Sequence, residues 1–80
     1  MNRQQGAEQL KEQAIQFNMR FGYSREMCES CFNEVVERYK KEYKAIDEYS
    51  PIIRAANETL YGCGMFDRIL TENEIDFLMS

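Results

Sequence analysis

Apolar residues near the N-terminus recur at the spacing of an α-helix. Intervals of three and four residues connect most members of this set: Leu10, Ala14, Ile15, Phe17, Met19 and Phe21. Side chains at these intervals lie above one another on one helix face. We therefore predict a first helix over residues 7–20, which ends before Gly22 because glycine readily adopts the left-handed conformation found after helix ends. Residues 1–6 are predicted to be frayed.

A second apolar stripe is longer. Its members again recur at three or four residues, apart from one adjacent pair: Cys28, Cys31, Phe32, Val35, Tyr39, Tyr43 and Ile46. Ser24 can accept a hydrogen bond from the first turn of a helix, and Glu26 suits the positive end of the helix dipole. We predict a second helix over residues 25–48, about 36 Å long against about 21 Å for the first. Its excess length would pack on a third helix or on a second chain.

Two further start signals follow. Ser50-Pro51 is typical of a helix N-terminus, because serine caps and proline lacks the N–H that would be unpaired there. With glycines at 62 and 64, it predicts a third helix over residues 51–61. Thr71-x-x-Glu74 matches a capping box and predicts a short fourth helix over 72–79. No stretch alternates like a strand, so we expect residues 1–80 to form a single all-α domain, a small bundle of three to four helices with the second longest.

Composition narrows the functional class. The net charge is −4, and the chain of 80 residues has no histidine. An acidic chain without a clustered basic surface argues against nucleic acid, and the segment RYKKEYK, interrupted by Glu42, is typical of a solvated helix face. The apolar runs are too short for a membrane span. The three cysteines are odd in number and the N-terminal stretch lacks an apolar segment, so we expect an intracellular, cytoplasmic protein.

Catalysis and metal binding find little support in the residues. Histidine, the commonest general base and a frequent zinc ligand, is absent. No phosphate-binding or dinucleotide-binding glycine pattern occurs. Carboxylates such as Glu72 and Asp76 fit a solvated helix face. We expect a protein that is not an enzyme and has no cofactor, no catalytic residues and no metal site.

The segment FGYSREMCESCF, residues 21–32, carries a family resemblance. Phe21-Gly22-Tyr23 resembles the Met-Gly-Phe/Tyr loop of ubiquitin-associated (UBA) domains. The capped start at Ser24 and the small residues that follow resemble the second helix of that family. The similarity covers about residues 10–35, after which this chain departs through its longer second helix and its fourth element. The resemblance implies a UBA-like helix–loop–helix at residues 21–24 and binding to ubiquitin-like proteins or peptides.

The cysteine pair has two interpretations. Cys28-x-x-Cys31 near a helix N-terminus is compatible with a redox pair, since thiol pKa values fall there. Buried cysteine also acts as a small hydrophobe where helices cross, and the absence of a preceding strand favours this interpretation. We predict that both thiols lie in the seam between the first two helices. Cys63, between two glycines, is either a labile thiol or incidental.

We therefore predict a non-enzymatic protein–protein interaction module. Tyrosine is enriched at interface hot spots, so the expected partner-binding residues combine the loop with a tyrosine ridge on the second helix: Phe21, Gly22, Tyr23, Tyr39 and Tyr43. The partner is expected to be a protein, with ubiquitin-like proteins and a second copy of this chain (a homo-oligomer) as candidates. The alternative is a self-associating acidic helical regulatory or inhibitor protein, of phage or mobile-element type, that blocks a partner protein.

Overall fold

The computed structural model describes residues 2–42, 47–62, 70, 71, 73, 74 and 77. Three α-helices lie in these ranges: α1 spans Arg3–Met19, α2 spans Arg25–Glu42 and α3 spans Ser50–Gly62. No strand occurs among the described residues. The predicted all-α small bundle is thus confirmed. Among the described helices, none combines the length and apolar character needed to cross a lipid bilayer.

Helix α1 begins earlier than the sequence pattern predicts. The Asn2 side chain accepts a hydrogen bond from the Gln5 backbone N–H at 2.8 Å, and the Gln5 side chain accepts one from Asn2 N at 3.3 Å. This reciprocal capping box satisfies two N–H groups that a helix start otherwise leaves unpaired. Gly6 and Ala7 are buried within the helix. The predicted fraying is therefore wrong for residues 3–6.

Helix α2 is shorter than predicted. Its last described residue is Glu42, and Asp47 and Glu48 lie in a bend and a turn. The Asp47 carboxylate accepts the backbone N–H groups of Tyr49 at 2.9 Å and Ser50 at 3.1 Å. Such local side-chain bonds compete with helix continuation and instead support the start of α3. The predicted extension is therefore wrong for residues 47 and 48, whereas residues 43–46 lie outside the described residues. The described part of α2 has 18 residues, and α1 has 17.

The core lies where α3 packs against both longer helices. Ala55 and Ala56 are 0% exposed, so α3 presents almost no side-chain bulk there. Small residues at a helix contact let two backbones approach closely. The larger buried side chains come from all three helices: Leu10, Ile15, Phe32, Val36, Ile53 and Leu60. Val36 was absent from the predicted stripe of α2.

The N-terminus of α1 is tied to the start of α3. The Arg3 guanidinium forms an ion pair with Asp47 at 2.6 Å and donates to Ser50 Oγ at 3.0 Å. This contact holds the pKa of the Asp47 carboxyl below its usual range, chiefly through the Arg3 hydrogen bond. These contacts connect the N-terminal end of α1 to the N-terminal end of α3.

Leu70, one of the few described residues after α3, contacts a buried side chain of that helix. Asn57 Nδ2 donates to the Leu70 carbonyl at 2.9 Å, and Leu70 packs against the core. The predicted capping box is present: Thr71 N donates to Glu74 Oε1 at 3.1 Å and Glu74 N donates to Thr71 Oγ at 3.2 Å. Most of the predicted fourth helix over 72–79 lies outside the described residues and stays a prediction.

Candidate functional site

The loop between α1 and α2 is a tight bend, as predicted for residues 21–24. Phe21 N donates to Asn18 O at 3.2 Å and Gly22 N donates to Met19 O at 3.1 Å, which closes the end of α1. Gly22 has φ +92°, in the left-handed region that favours glycine. Ser24 then caps α2, because its Oγ accepts from Met27 N at 3.2 Å.

Large apolar side chains are exposed in this bend and in the first turn of α2. Phe21 is 65% exposed, Tyr23 56% and Met27 52%. The Phe21 ring meets the Phe17 ring of α1 edge-on, with 5.4 Å between the two ring centroids. Phe21 therefore lies outside the core, contrary to its place in the predicted stripe. Exposed apolar patches are a common feature of interaction sites in small proteins.

A groove of about 330 Å³ lies beside the bend. It is lined by Asn18, Tyr23, Met27, Cys28 and Cys31. Cys28 is buried and Cys31 is exposed. The prediction that both thiols lie in the seam is therefore wrong for Cys31. The physical reason is helix geometry, because Cys28 shares the core-facing side with Phe32, four residues on, whereas Cys31 is turned toward the open side.

A salt bridge connects α1 to α2 on the side of α2 that lies opposite Met27. Arg25 donates to both carboxylate oxygens of Glu12, at 2.7 and 2.6 Å, and also to Glu29 at 2.9 Å. Arg25 and Met27 are two residues apart, so they point about 160° away from each other around the helix axis. The Arg25 hydrogen bond lowers the pKa of Glu12 to about 2. Charged contacts thus hold α1 and α2 together without occupying the groove.

Tyr39 lies in a different place from the loop. Its hydroxyl donates to Glu58 Oε2 at 2.6 Å, and Arg38 donates to the same carboxylate at 2.8 Å. Desolvation, followed by the Glu58 hydrogen bond, raises the pKa of Tyr39 to about 12. Tyr39 therefore links α2 to α3, and it is 14 residues from Arg25, or about 21 Å along the helix.

The predicted binding residues thus separate into two groups. Phe21, Gly22 and Tyr23 lie together at the bend, and Tyr39 belongs to the α2–α3 contact. Tyr43 lies outside the described residues, as does Cys63. Sequence analysis missed Met27 and Asn18 as lining residues of the groove. An available signal was that Met27 is a large apolar residue off the core stripe of α2.

The described residues contain no candidate metal-binding site built from cysteine and acidic side chains alone. No group of three or more cysteine and acidic side chains there lies close enough to hold an ion. For the remaining residues, the absence of a metal site stays a prediction from the sequence.

The geometry defines the molecule at the level of class: a small all-α bundle with an exposed aromatic bend between its first two helices. No known protein family has a model that matches the chain. No curated protein and no solved structure is significantly similar to it.

Proposed function

We propose that this chain is a non-enzymatic protein-interaction module that binds its partner at the α1–α2 joint. The observation that carries the proposal is the exposure of three large apolar side chains, Phe21 and Tyr23 in the bend and Met27 in the first turn of α2, each more than half open to solvent. Aromatic residues and methionine are enriched at protein interfaces. Leaving such residues in water is unfavourable, and a partner that covers them recovers roughly 25 cal/mol per Å² of buried apolar area.

The bend is also held in one shape before any partner arrives. Gly22 allows the reversal, Ser24 caps α2, and the Arg25–Glu12 pair connects the two helices. A preorganised surface loses little conformational entropy on binding, so more of the contact energy appears as affinity. This rigidity supports a binding role for the bend.

The resemblance to UBA domains names ubiquitin as the first partner to test. Isotope-labelled protein would be titrated with ubiquitin while amide signals are followed by NMR. We expect the signals of residues 21–23, together with those of Met27 and Cys31, to shift with a saturable dependence. Shifts at the bend would support a ubiquitin-like partner. Unmoved signals at high ubiquitin concentration would remove that partner.

Matched variants separate the bend from other exposed tyrosines. Tyr23→Ser removes an aromatic ring that lines the groove, whereas Tyr61→Ser removes a 42% exposed ring on α3 that does not line it. Capture of partners from a cell extract, followed by direct titration, should be weakened by Tyr23→Ser and unchanged by Tyr61→Ser. Equal weakening by both variants, or by neither, would contradict binding at the bend.

The self-association alternative was motivated by a second helix longer than the first, whose excess would pack on a third helix or on a second chain. The described α1 and α2 have 17 and 18 residues, so no such excess is present in them. Self-association stays a prediction, and we do not build the proposal on it.

A further inference from the structure

Three sulfur-bearing side chains line the groove beside the bend. Met27, Cys28 and Cys31 supply one thioether and two thiols, and the other lining residues are Asn18 and Tyr23. Both cysteines are free thiols. The sequence thus concentrates three sulfur atoms within five consecutive positions of α2, all of them beside the same cavity. Sulfur atoms that converge in this way are potential ligands for a soft metal ion.

The spacing of these residues brings their side chains to one side of α2. Successive residues are rotated by about 100° around a helix axis, so Cys31 lies about 40° from Met27 and about 60° from Cys28. The three side chains therefore share an arc of about 100°, with Cys31 in the middle, and begin within about 6 Å of one another along the axis. This arrangement lets the thioether and the two thiols point to one place in the groove with no change in the helix.

The three side chains lie at different depths. Cys28 is 3% exposed, Met27 is 52% exposed and Cys31 is exposed. Because Cys28 lines the groove and is nevertheless buried, it lies at the inner end, whereas Met27 and Cys31 lie nearer the mouth. An ion therefore has an entry path from solvent past exposed ligands and a partly shielded position once it is bound.

The types of ligand distinguish between metals. Protein zinc sites use cysteine, histidine, aspartate or glutamate, and structural zinc sites use four such ligands. The chain has no histidine, and within the described ranges no three cysteine and acidic side chains lie close enough together to hold an ion. A thioether beside two thiolates is a set of soft ligands, which favours Cu(I). The expectation of no metal site from the sequence considered zinc ligands and left methionine out.

We propose that Met27, Cys28 and Cys31 form a binding site for Cu(I), with two thiolates and one thioether as its three ligands. Each thiol loses its proton on binding, so one Cu⁺ ion replaces two protons and the complex has a single negative charge. The complex lies at the first turn of α2, where the positive end of the helix dipole favours negative charge. Copper binding at this site does not depend on the proposed protein partner.

Anaerobic titration of the full chain with Cu(I) tests the proposal. The chromophoric chelator bicinchoninate would compete with the protein for Cu(I), and its absorbance would report the copper that the protein has not taken up. We expect each chain to retain one Cu(I) ion against the chelator. X-ray absorption spectroscopy of the loaded protein should show three sulfur ligands in the wild type and two in Met27→Leu.

Single substitutions assign the ligands. Cys31→Ser should weaken Cu(I) binding at least about a hundredfold, which is the upper end of the loss seen when a residue only supports a ligand. Met27→Leu keeps an apolar side chain of similar size but removes the thioether, and we expect it to weaken binding about tenfold. Its matched control is Met19→Leu, which removes a half-buried thioether of α1 that does not line the groove. Met19→Leu should leave the affinity within about twofold.

The other two thiols complete the test. Cys28→Ser should weaken Cu(I) binding as strongly as Cys31→Ser, with circular dichroism used to check that the variant is folded. Cys63→Ser should leave the affinity within about twofold. An equal loss in Cys63→Ser and Cys31→Ser would show that the ion is held by a different set of thiols, and the groove site would be overturned.

The remaining outcomes are equally decisive. Failure of the wild type to retain Cu(I) against the chelator would overturn the site. An affinity unchanged by Met27→Leu would remove the thioether ligand and with it the argument for copper. One ion per two chains, lost in Cys31→Ser but retained in Cys28→Ser, would show an ion that bridges exposed thiols of two molecules and would also overturn the site. Displacement of Cu(I) by an equal concentration of Zn²⁺ would overturn the choice of metal.

Discussion

Arg25 and Glu12 form a two-pronged ion pair across the joint between α1 and α2, with N–O distances of 2.7 and 2.6 Å. The planar guanidinium matches the two carboxylate oxygens, which is the strongest geometry for this pair of groups. Both side chains are nearly half exposed, so solvent screens the interaction. Its importance here is geometric, because it fixes the angle between the two helices that form the groove.

The first prediction concerns acid stability. The Arg25 hydrogen bond lowers the pKa of Glu12 from 4.5 to about 2 in the folded protein. The charged form is favoured by folding, so its contribution is fully present above about pH 4.5 and is lost as the pH falls toward 2. We expect the difference in unfolding free energy between the wild type and Glu12→Gln to shrink over that range, as measured by urea denaturation at several pH values.

Taking the difference in unfolding free energy between the wild type and Glu12→Gln removes the contribution of the other titrating groups. Asp47 also has a lowered pKa through Arg3, but it is present in both proteins and cancels in the difference. A difference between wild type and Glu12→Gln that stays constant from pH 7 to pH 2 would show that the Arg25 contact does not stabilise the fold.

The second prediction compares two glycines. Gly22 has φ +92°, and a Cβ there meets no atom within 4 Å, so Gly22→Ala would be strained by its backbone and not by a clash. We expect it to lower the free energy of unfolding by about 1–2 kcal/mol. Gly62, at the end of α3, also has open space around it but no positive φ. Gly62→Ala should be neutral or stabilising by up to about 1 kcal/mol.

Thermal or urea denaturation of both variants measures this contrast. The opposite signs matter more than the sizes, since each substitution adds the same methyl group. If Gly22→Ala is as stable as Gly62→Ala, the bend tolerates an ordinary residue, and the argument that glycine is needed for the reversal fails.

The third prediction concerns the two cysteines near the groove. Cys28 is 3% exposed and Cys31 is exposed. We expect iodoacetamide to modify Cys31 in the native protein and Cys28 only on unfolding, with each site assigned by mass spectrometry. Cys28→Ser should destabilise the fold by about 1–3 kcal/mol, because it buries a hydroxyl among apolar groups. Cys31→Ser should change stability by no more than about 0.5 kcal/mol. Equal reactivity of the two thiols in the native state would contradict this assignment.

The helix pattern of the sequence predicted much of this fold, for identifiable reasons. Ser50-Pro51 located the start of α3 to within one residue, because capping chemistry and the missing proline N–H both favour that position. Leu10 and Ala14 were correctly placed in the core by their spacing. The Asn2–Gln5 capping box is also visible in the sequence, but the helical pattern was read only from Ala7.

Other features depend on tertiary contacts that spacing cannot show. Apolar residues continue at helical intervals past Glu42, whereas Asp47 binds backbone N–H groups and turns the chain into α3. Within α2, the predicted stripe included Cys31 and omitted Val36, whereas the structure exposes Cys31 and buries Val36. Both residues lie near the edge of the stripe. The side on which α3 packs decides this choice, and that direction is a property of the whole bundle.

The fourth prediction concerns alkaline pH. Desolvation and the Glu58 hydrogen bond raise the pKa of Tyr39 from 10.0 to about 12 in the folded state. Folding favours the neutral phenol, so the stability it contributes is fully present below about pH 10 and is lost as the pH rises through 12. The phenolate absorbance of wild type minus that of Tyr39→Phe should therefore rise near pH 12 in the native protein and near pH 10 in urea. A native transition near 10 would contradict the Tyr39–Glu58 contact.

The fifth prediction separates the residues that stabilise the fold from those proposed to bind. Ile53 is 1% exposed at the centre of the core, and Ile53→Ala should lower the free energy of unfolding by about 2–5 kcal/mol through lost burial and a cavity. Met27 is 52% exposed, so Met27→Ala should change the free energy of unfolding by no more than about 0.5 kcal/mol.

The partner affinity should respond in the opposite order. Met27→Ala should weaken binding about tenfold or more, whereas Ile53→Ala should leave the affinity unchanged under conditions where the variant remains folded. Urea denaturation measures the stability of each variant, and direct titration with a partner captured from cell extract measures its affinity. A Met27→Ala variant that loses stability but not affinity would place Met27 in the core and remove it from the binding surface.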